Sequence, residues 1–216
     1  MSELWKQSAV DVVGLLRSGE ISPVEAVQAA IERIEAVDSK TNALPIRCFD
    51  RAIERAQTLD LTGHRQNPKS LCGLPIAVKD YNDVAGVRTT YGSPIFKDHI
   101  AERSDVTVAV LEHNGANPIA KSNVPEWAGG HTFNPVNGLT CNPWNLSRSA
   151  GGSSGGSAAA LASGQVWLAT GNDLGGSLRT PAAFNAVVGL RPSPGVVPRG
   201  HGYQAFDTLW VEGPMG

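Results

Sequence analysis

Two runs of glycine and serine constrain this chain more than any other feature: Gly151-Gly152-Ser153-Ser154-Gly155-Gly156-Ser157 and Asp173-Leu174-Gly175-Gly176-Ser177-Leu178-Arg179. In isolation the first run has the composition of a flexible linker. The residues after it argue against a linker. Ala158, Ala159, Ala160, Leu161 and Ala162 are strong helix formers, so the segment reads as a tight turn opening directly into a packed helix. Val166, Trp167, Leu168 and Ala169 then read as a short buried strand leading through Gly171-Asn172-Asp173 into the second turn. Two glycine turns on either side of one helix-strand unit put backbone N–H groups within reach of a common point.

Serines at such a point need help to react, because a hydroxyl is a poor nucleophile at neutral pH without a base beside it. Lysine is a base only when neutral. Bringing its pKa from about 10.4 toward 7 takes burial and neighbouring dipoles, roughly 4 to 5 kcal/mol of bias against the charged form. Lys79 ends the apolar run Leu74-Pro75-Ile76-Ala77-Val78, which would carry it along a buried strand to that strand's end. A lone lysine elsewhere would be read as a solvated surface residue.

Further motifs occur around these. They are Gly-Leu-Pro-Ile-Ala-Val-Lys-Asp at 73–80, Lys-Ser-Asn-Val-Pro-Glu at 121–126 and Asn-Pro-Trp-Asn-Leu at 142–146. Both glycine turns, Pro181-Ala182 and Val187-Val188-Gly189-Leu190-Arg191-Pro192 come after them. In this order they make residues 73–216 resemble the amidase signature hydrolases. The resemblance implies an α/β fold with a central mixed β-sheet covered by helices, and hydrolysis of a small-molecule amide without a cofactor or a metal. It implies that Ser177 is the acylated nucleophile and that Ser153 bridges it to Lys79, with a cis peptide bond at Ser153. Neutral Lys79 would take a proton from Ser153, and Ser153 one from Ser177. The backbone N–H groups of Leu174, Gly175, Gly176 and Ser177 would form the oxyanion hole. Ser154 would help to position the lysine, and Asp173 and Arg179 would brace the turn as an ion pair. The segment Trp127-Ala128-Gly129-Gly130-His131 would line the acyl pocket, with Ala128, Gly129 and Gly130 leaving room for substrate, although these three read equally well as an ordinary glycine turn. One departure is Asn172, where the family most often has threonine or serine; relatives that cleave aminohexanoate oligomers look similar here. An amide both donates and accepts, so the local hydrogen bonding is what this change alters.

A competing enzymatic reading takes Gly151-Gly152-Ser153-Ser154-Gly155 as a G-x-S-x-G nucleophile elbow, with Asp173 and His201 next in order. An elbow needs a buried strand directly before the serine. Residues 142–149 are instead turn chemistry interrupted by Pro143. His64, His99, His113 and His131 are scattered without metal-ligand spacing, and His113 and His131 read as ordinary histidines. Three cysteines, Cys48, Cys72 and Cys141, form no CxxC motif and no disulfide framework. A net charge of -2 gives no electrostatic reason to expect nucleic acid as a partner. No apolar run approaches membrane length and no signal peptide follows Met1, so the expected location is cytoplasmic.

Residues 1–72 read as a helical segment packing on a core at 73–216, in a single domain. Ser8 caps a first helix ending near Gly19, and Ser22-Pro23-Val24-Glu25 is a capping box for a second. A third helix spans about 49–59, and 61–70 reads as a loop. In the family such helices can serve a dimer contact, which makes a homodimer one expected assembly. From Gly73 strands and helices alternate, with a helix at about 105–114 capped by Ser104. Family members usually run to more than twice this length, so the expectation is an N-terminal portion with an incomplete sheet and little turnover of its own. Two alternatives stand beside the free amidase: the glutaminase subunit of a tRNA-dependent amidotransferase, and a catalytically inactive fragment.

Overall fold

In a computed structural model the described residues are 3–199 and 207–216. His201, the third member of the elbow reading, lies outside them. The helices near the N-terminus begin where side chains satisfy their exposed N–H groups. In α1 (Ala9–Ser18) the Ser8 hydroxyl accepts from the Asp11 N–H while the Asp11 carboxylate accepts from the Ser8 N–H, and Gly19 closes the helix at φ +82°. α2 (Pro23–Thr41) repeats the device with Ser22 and Glu25. After β1 (Ile46–Arg47) and α3 (Phe49–Thr58) the expected loop at 61–70 contains a short helix, α4 (Leu61–Gln66). Its N-cap explains the difference: the Asp60 side chain accepts from the Thr62 N–H, which offsets the weak helix propensity of Thr62, Gly63 and His64.

The alternating part continues as β2 (Pro75–Lys79), α5 (Val106–His113) and β3 (Asn117–Ser122). Ser104 does not cap α5. Asp105 holds the N-cap position without a side-chain bond, and the Ser104 hydroxyl accepts from the Ala85 N–H instead. Two small hairpins come next, β4 (Phe133–Asn134) with β5 (Gly138–Leu139) and β6 (Cys141–Asn142) with β7 (Asn145–Ser149). β7 is almost wholly exposed, so the strand preceding Ser153 is not the buried one an elbow requires. Then come α6 (Gly155–Ala162), β8 (Leu168–Asp173), α7 (Arg179–Asn185) and β9 (Val211–Met215). β8 starts later than expected and runs through Gly171-Asn172-Asp173. Its ladder with β9 pairs Ala169 to Asp173 with Met215 to Val211, and this pairing overrides the poor strand propensity of those three residues.

The five-stranded sheet has the order β1-β3-β2-β8-β9. β3, β2 and β8 are parallel, and β1 and β9 add antiparallel edges, so the sheet is mixed. Parallel neighbours need crossovers, which α5 and α6 provide. Because the three central strands point the same way, Lys79, Ser122 and Asp173 at their carboxyl ends arrive at one edge, where open α/β sheets place their ligand sites. β2 and β3 are buried along their whole length, as interior parallel strands are. Leu16, Val27 and Ile34 from α1 and α2 share one hydrophobic cluster with Ala77, Ile119 and Ala159. Among the described residues no helix is long and apolar enough to cross a membrane.

The glycines opening α6 are fixed by packing. A Cβ on Gly156 would lie 2.3 Å from Asn123 N, 2.6 Å from Asn123 O and 2.7 Å from Ala43 O, all backbone atoms with little freedom to move. Gly156→Ala is expected to destabilise the fold by about 2 kcal/mol, read from the midpoint of urea unfolding at unchanged slope. An unchanged midpoint would show that α6 can shift away from β3.

Candidate active site

Lys79 leaves the end of β2 fully buried, at 0% exposure. The turn before α6 reaches it from one side and the end of β8 from the other. Its Nζ lies 2.7 Å from Ser153 Oγ, 2.8 Å from Ser154 Oγ and 2.5 Å from Asn172 Oδ1, and 5.0 Å from the Tyr81 ring centre. The Lys79 backbone N–H donates to Thr170 Oγ1 at 2.8 Å, which fixes β2 against β8 next to the amine. Burial pulls the Lys79 pKa down to about 7, opposed by the charges of Glu212 and Asp173. An amine that is about half neutral at pH 7 and bonded to a hydroxyl can exchange a proton with it.

The peptide between Gly152 and Ser153 is cis. Gly152 could be nothing larger, since a Cβ there would fall 2.2 Å from Gly130 O. The Ser154 N–H donates to Ser177 O at 3.3 Å and ties the two turns together. Ser177 is half-buried and shares a cavity of about 280 Å³ with Ser153, Asn172, Leu174, Gly175 and Ala128. Among the described residues no hydrogen bond joins the Ser177 and Ser153 hydroxyls. Catalytic contacts are often long before substrate binds.

The second turn is built around Asp173, whose side chain is wholly buried. It accepts from Arg179 Nε and Nη2, both at 2.9 Å, from Arg191 Nη1 at 2.9 Å, and from the N–H groups of Gly176 at 2.8 Å and Leu178 at 3.2 Å. Burial works to raise the Asp173 pKa, but the bonds from Arg179, Gly176 and Leu178 outweigh it and hold the carboxyl well below the usual range. The Gly176 N–H, expected at the oxyanion hole, is thus engaged by Asp173. At φ +117° Gly176 serves the turn's geometry instead. Within the described residues, the N–H groups of Leu174, Gly175 and Ser177 have no protein acceptor. A Cβ on Gly175 would meet nothing within 4 Å, so its smallness leaves the cavity open.

Ala128 lines the cavity, but Gly129 does not. The Gly129 N–H closes the short helical turn Glu126–Ala128 by donating to Glu126 O, and the next residue, Gly130, takes the wall position. His131 lies in the wall with the segment expected there, its Nδ1 2.7 Å from Ser149 Oγ, whereas Trp210, also in the wall, is not evident from the sequence. Neither is Glu212, buried at 1% exposure and bonded to Trp210 Nε1. An acid placed between Val211 and Gly213 in an apolar strand is the available signal for it. A larger, apolar cavity of about 350 Å³ between α5 and the sheet is lined by no titratable side chain.

Comparison with known proteins bears on the family and the fold. The Amidase family model matches residues 25–216. The chain is 41% identical over 95% of its length to the A subunit of the glutamyl-tRNA(Gln) amidotransferase of Carboxydothermus hydrogenoformans, and 39% identical over 92% to the indoleacetamide hydrolase of Bradyrhizobium diazoefficiens. It covers 43% and 38% of those two proteins, so it spans less than half the length of the curated relatives it matches. The structure superposes on 6-aminohexanoate cyclic dimer hydrolase complexed with substrate with a TM-score of 0.89 at 33% identity, covering 99% of this chain and 44% of that one. The α/β fold with its central mixed sheet is theirs, and the chain belongs to the amidase signature family.

Proposed function

We propose that this chain carries the acyl-transfer centre of an amidase, which converts a small carboxylic amide into a carboxylate and ammonia or an amine. The observation that carries the reading is the buried Lys79 amine, bonded to Ser153 in the cavity wall that also presents Ser177. Neutral Lys79 takes the Ser153 proton as Ser153 takes that of Ser177, and Ser177 Oγ attacks the amide carbonyl. The oxyanion is met by the N–H groups left open in the second turn, those of Gly175 and Ser177 and at its edge Leu174; one well-placed donor contributes on the order of 3 kcal/mol. Ser153 then returns a proton to the leaving nitrogen, the C–N bond breaks, and water hydrolyses the Ser177 ester. Ser154 and Asn172 hold the amine on line, and Asp173 with Arg179 holds the turn. A cavity of about 280 Å³ suits a small acyl group.

A serine-directed fluorophosphonate tests this on the 216-residue chain, with intact mass as the readout. One adduct is expected, forming at a rate that rises with pH through about 7 and then levels off, because Lys79 must lose its proton to act. At pH 5.5 the rate should be about thirtyfold below the plateau. A pH-independent rate, or no adduct on the folded chain, would count against the lysine-driven reading.

The 41% identity to an amidotransferase A subunit favours a second reading, in which the amide is the side chain of glutamine and the ammonia passes to a partner. Ammonia release from glutamine, measured with and without partner subunits, separates the two.

A further inference from the structure

Glu212 is a buried acid to which the relay of Lys79, Ser153 and Ser177 gives no task. Its Oε1 accepts from Trp210 Nε1 at 3.1 Å, and its Oε2 makes no well-formed hydrogen bond among the described residues, with only the Asn82 side chain close enough to favour its ionised form as a weak donor. Directly across the β8–β9 ladder stands Asn172. Opposed residues on antiparallel strands project to the same face with Cβ atoms about 5 Å apart. Asn172 Oδ1 is taken by Lys79 Nζ, while Asn172 Nδ2 is buried and, among the described residues, without a partner. A donor and an acceptor that make no well-formed hydrogen bond among the described residues therefore sit on facing residues, and the other end of the Asn172 amide is already held by the lysine. A carboxylate this deep is retained where hydrogen bonds or an opposite charge answer it.

We propose that Glu212 is a positioning residue that sets the protonation of Lys79 through Asn172: its carboxylate answers the positive charge created when Lys79 takes a proton from Ser153. The Asn172 amide serves both sides, accepting from the lysine and offering Nδ2 to the acid. This inference rests on Lys79 being the base. It also gives the asparagine a task that threonine or serine at this position would not perform, since a hydroxyl is too short to span both groups.

The Tyr81 ring lies over the amine, and Asp173 at the end of β8 is held ionised by Arg179 and Arg191. Burial raises the Glu212 pKa, opposed by the Trp210 bond, the Lys79 charge, Asn82 and Arg199. Burial lowers that of Lys79, and Glu212 is the largest influence opposing it. Removing the carboxylate should therefore lower the Lys79 pKa further.

The test is a ¹³C NMR titration of labelled lysine side chains, with the Lys79 signal assigned by its loss in Lys79→Met. In Glu212→Gln the Lys79 midpoint is expected to fall by about one pH unit, and in Glu212→Asp, which keeps the charge, to stay near the wild-type value. The acid limb of fluorophosphonate labelling should move by the same amount in the same direction. A purely structural role for Glu212 would slow labelling at every pH and leave both midpoints in place, and that result overturns the inference. If circular dichroism shows that Glu212→Gln is unfolded, Trp210→Phe replaces it. Loss of the indole donor leaves Glu212 less often ionised, so the Lys79 midpoint should again fall, by a smaller amount, and an unmoved midpoint overturns the inference. A midpoint that falls in a chain that never labels leaves the link between Glu212 and Lys79 standing and refutes the acyl-transfer reading instead.

Discussion

Ser177→Ala is expected to abolish the fluorophosphonate adduct, and Lys79→Ala to slow its formation about a thousandfold at pH 8. The two losses have different causes. Without Ser177 the described residues of the cavity wall offer no free hydroxyl to form the bond, because Ser153 Oγ is committed to Lys79 Nζ at 2.7 Å and is almost wholly buried. Without Lys79 the nucleophile remains, but its proton has no acceptor except water. Lysine is required because the other candidate base in the cavity wall, His131, is turned toward Ser149, and among the described residues no histidine bonds to either serine. Ser153→Ala should resemble Lys79→Ala, since it breaks the same relay one step later. Ser154→Ala removes one of three partners of the amine and should slow labelling by a smaller factor. Peptide mapping of the wild-type adduct decides between the serines. An adduct on Ser153, or an undiminished adduct in Lys79→Ala, would overturn the order of the relay.

Much of this site is legible in the chain because its members sit in contiguous motifs. Lys79 ends an apolar run, and runs of that kind become buried strands whose last residue emerges at the sheet edge. The glycine turns can be read from residue size alone, and Gly152 and Gly156 face backbone at distances that exclude any side chain. Capped helices are equally plain, as Ser8 with Asp11 and Ser22 with Glu25 show. The hidden part depends on register between distant strands. Trp210 and Glu212 meet the site only because β9 folds back antiparallel on β8 and sets Glu212 opposite Asn172, and nothing within 207–216 announces that pairing. The start of β8 is hidden for a related reason. Val166 and Trp167 are buried, as strand residues would be, yet the ladder with β2 begins at Leu168. Ser104 and Gly129 show the same limit at short range: each has the right residue type for its expected role, and each is taken by a neighbour, Ala85 N–H or Glu126 O.

Asp173→Asn is expected to destabilise the fold by about 3 kcal/mol at pH 7 and to slow labelling of Ser177 as well. The carboxylate is wholly buried and accepts from two guanidinium groups and two backbone N–H groups. The partners do not contribute equally. Arg179 is 56% exposed, so water screens that pair and its share is small, whereas the Arg191 pair, with the arginine 23% exposed, is screened less. Asparagine keeps one acceptor oxygen but turns a donor toward N–H groups and guanidinium. The turn that presents Ser177 should therefore loosen before the sheet does. Because folding holds the Asp173 pKa below its unfolded value, its stabilisation is fully present above about pH 4 and is lost as pH falls toward the folded-state value. The difference in urea-unfolding free energy between wild type and Asp173→Asn should thus shrink by about 1 kcal/mol between pH 6 and pH 3. A difference that holds constant over that range would mean that the loss comes from shape and hydrogen bonding in the turn, and that the charge of Asp173 contributes little to keeping Ser177 in place.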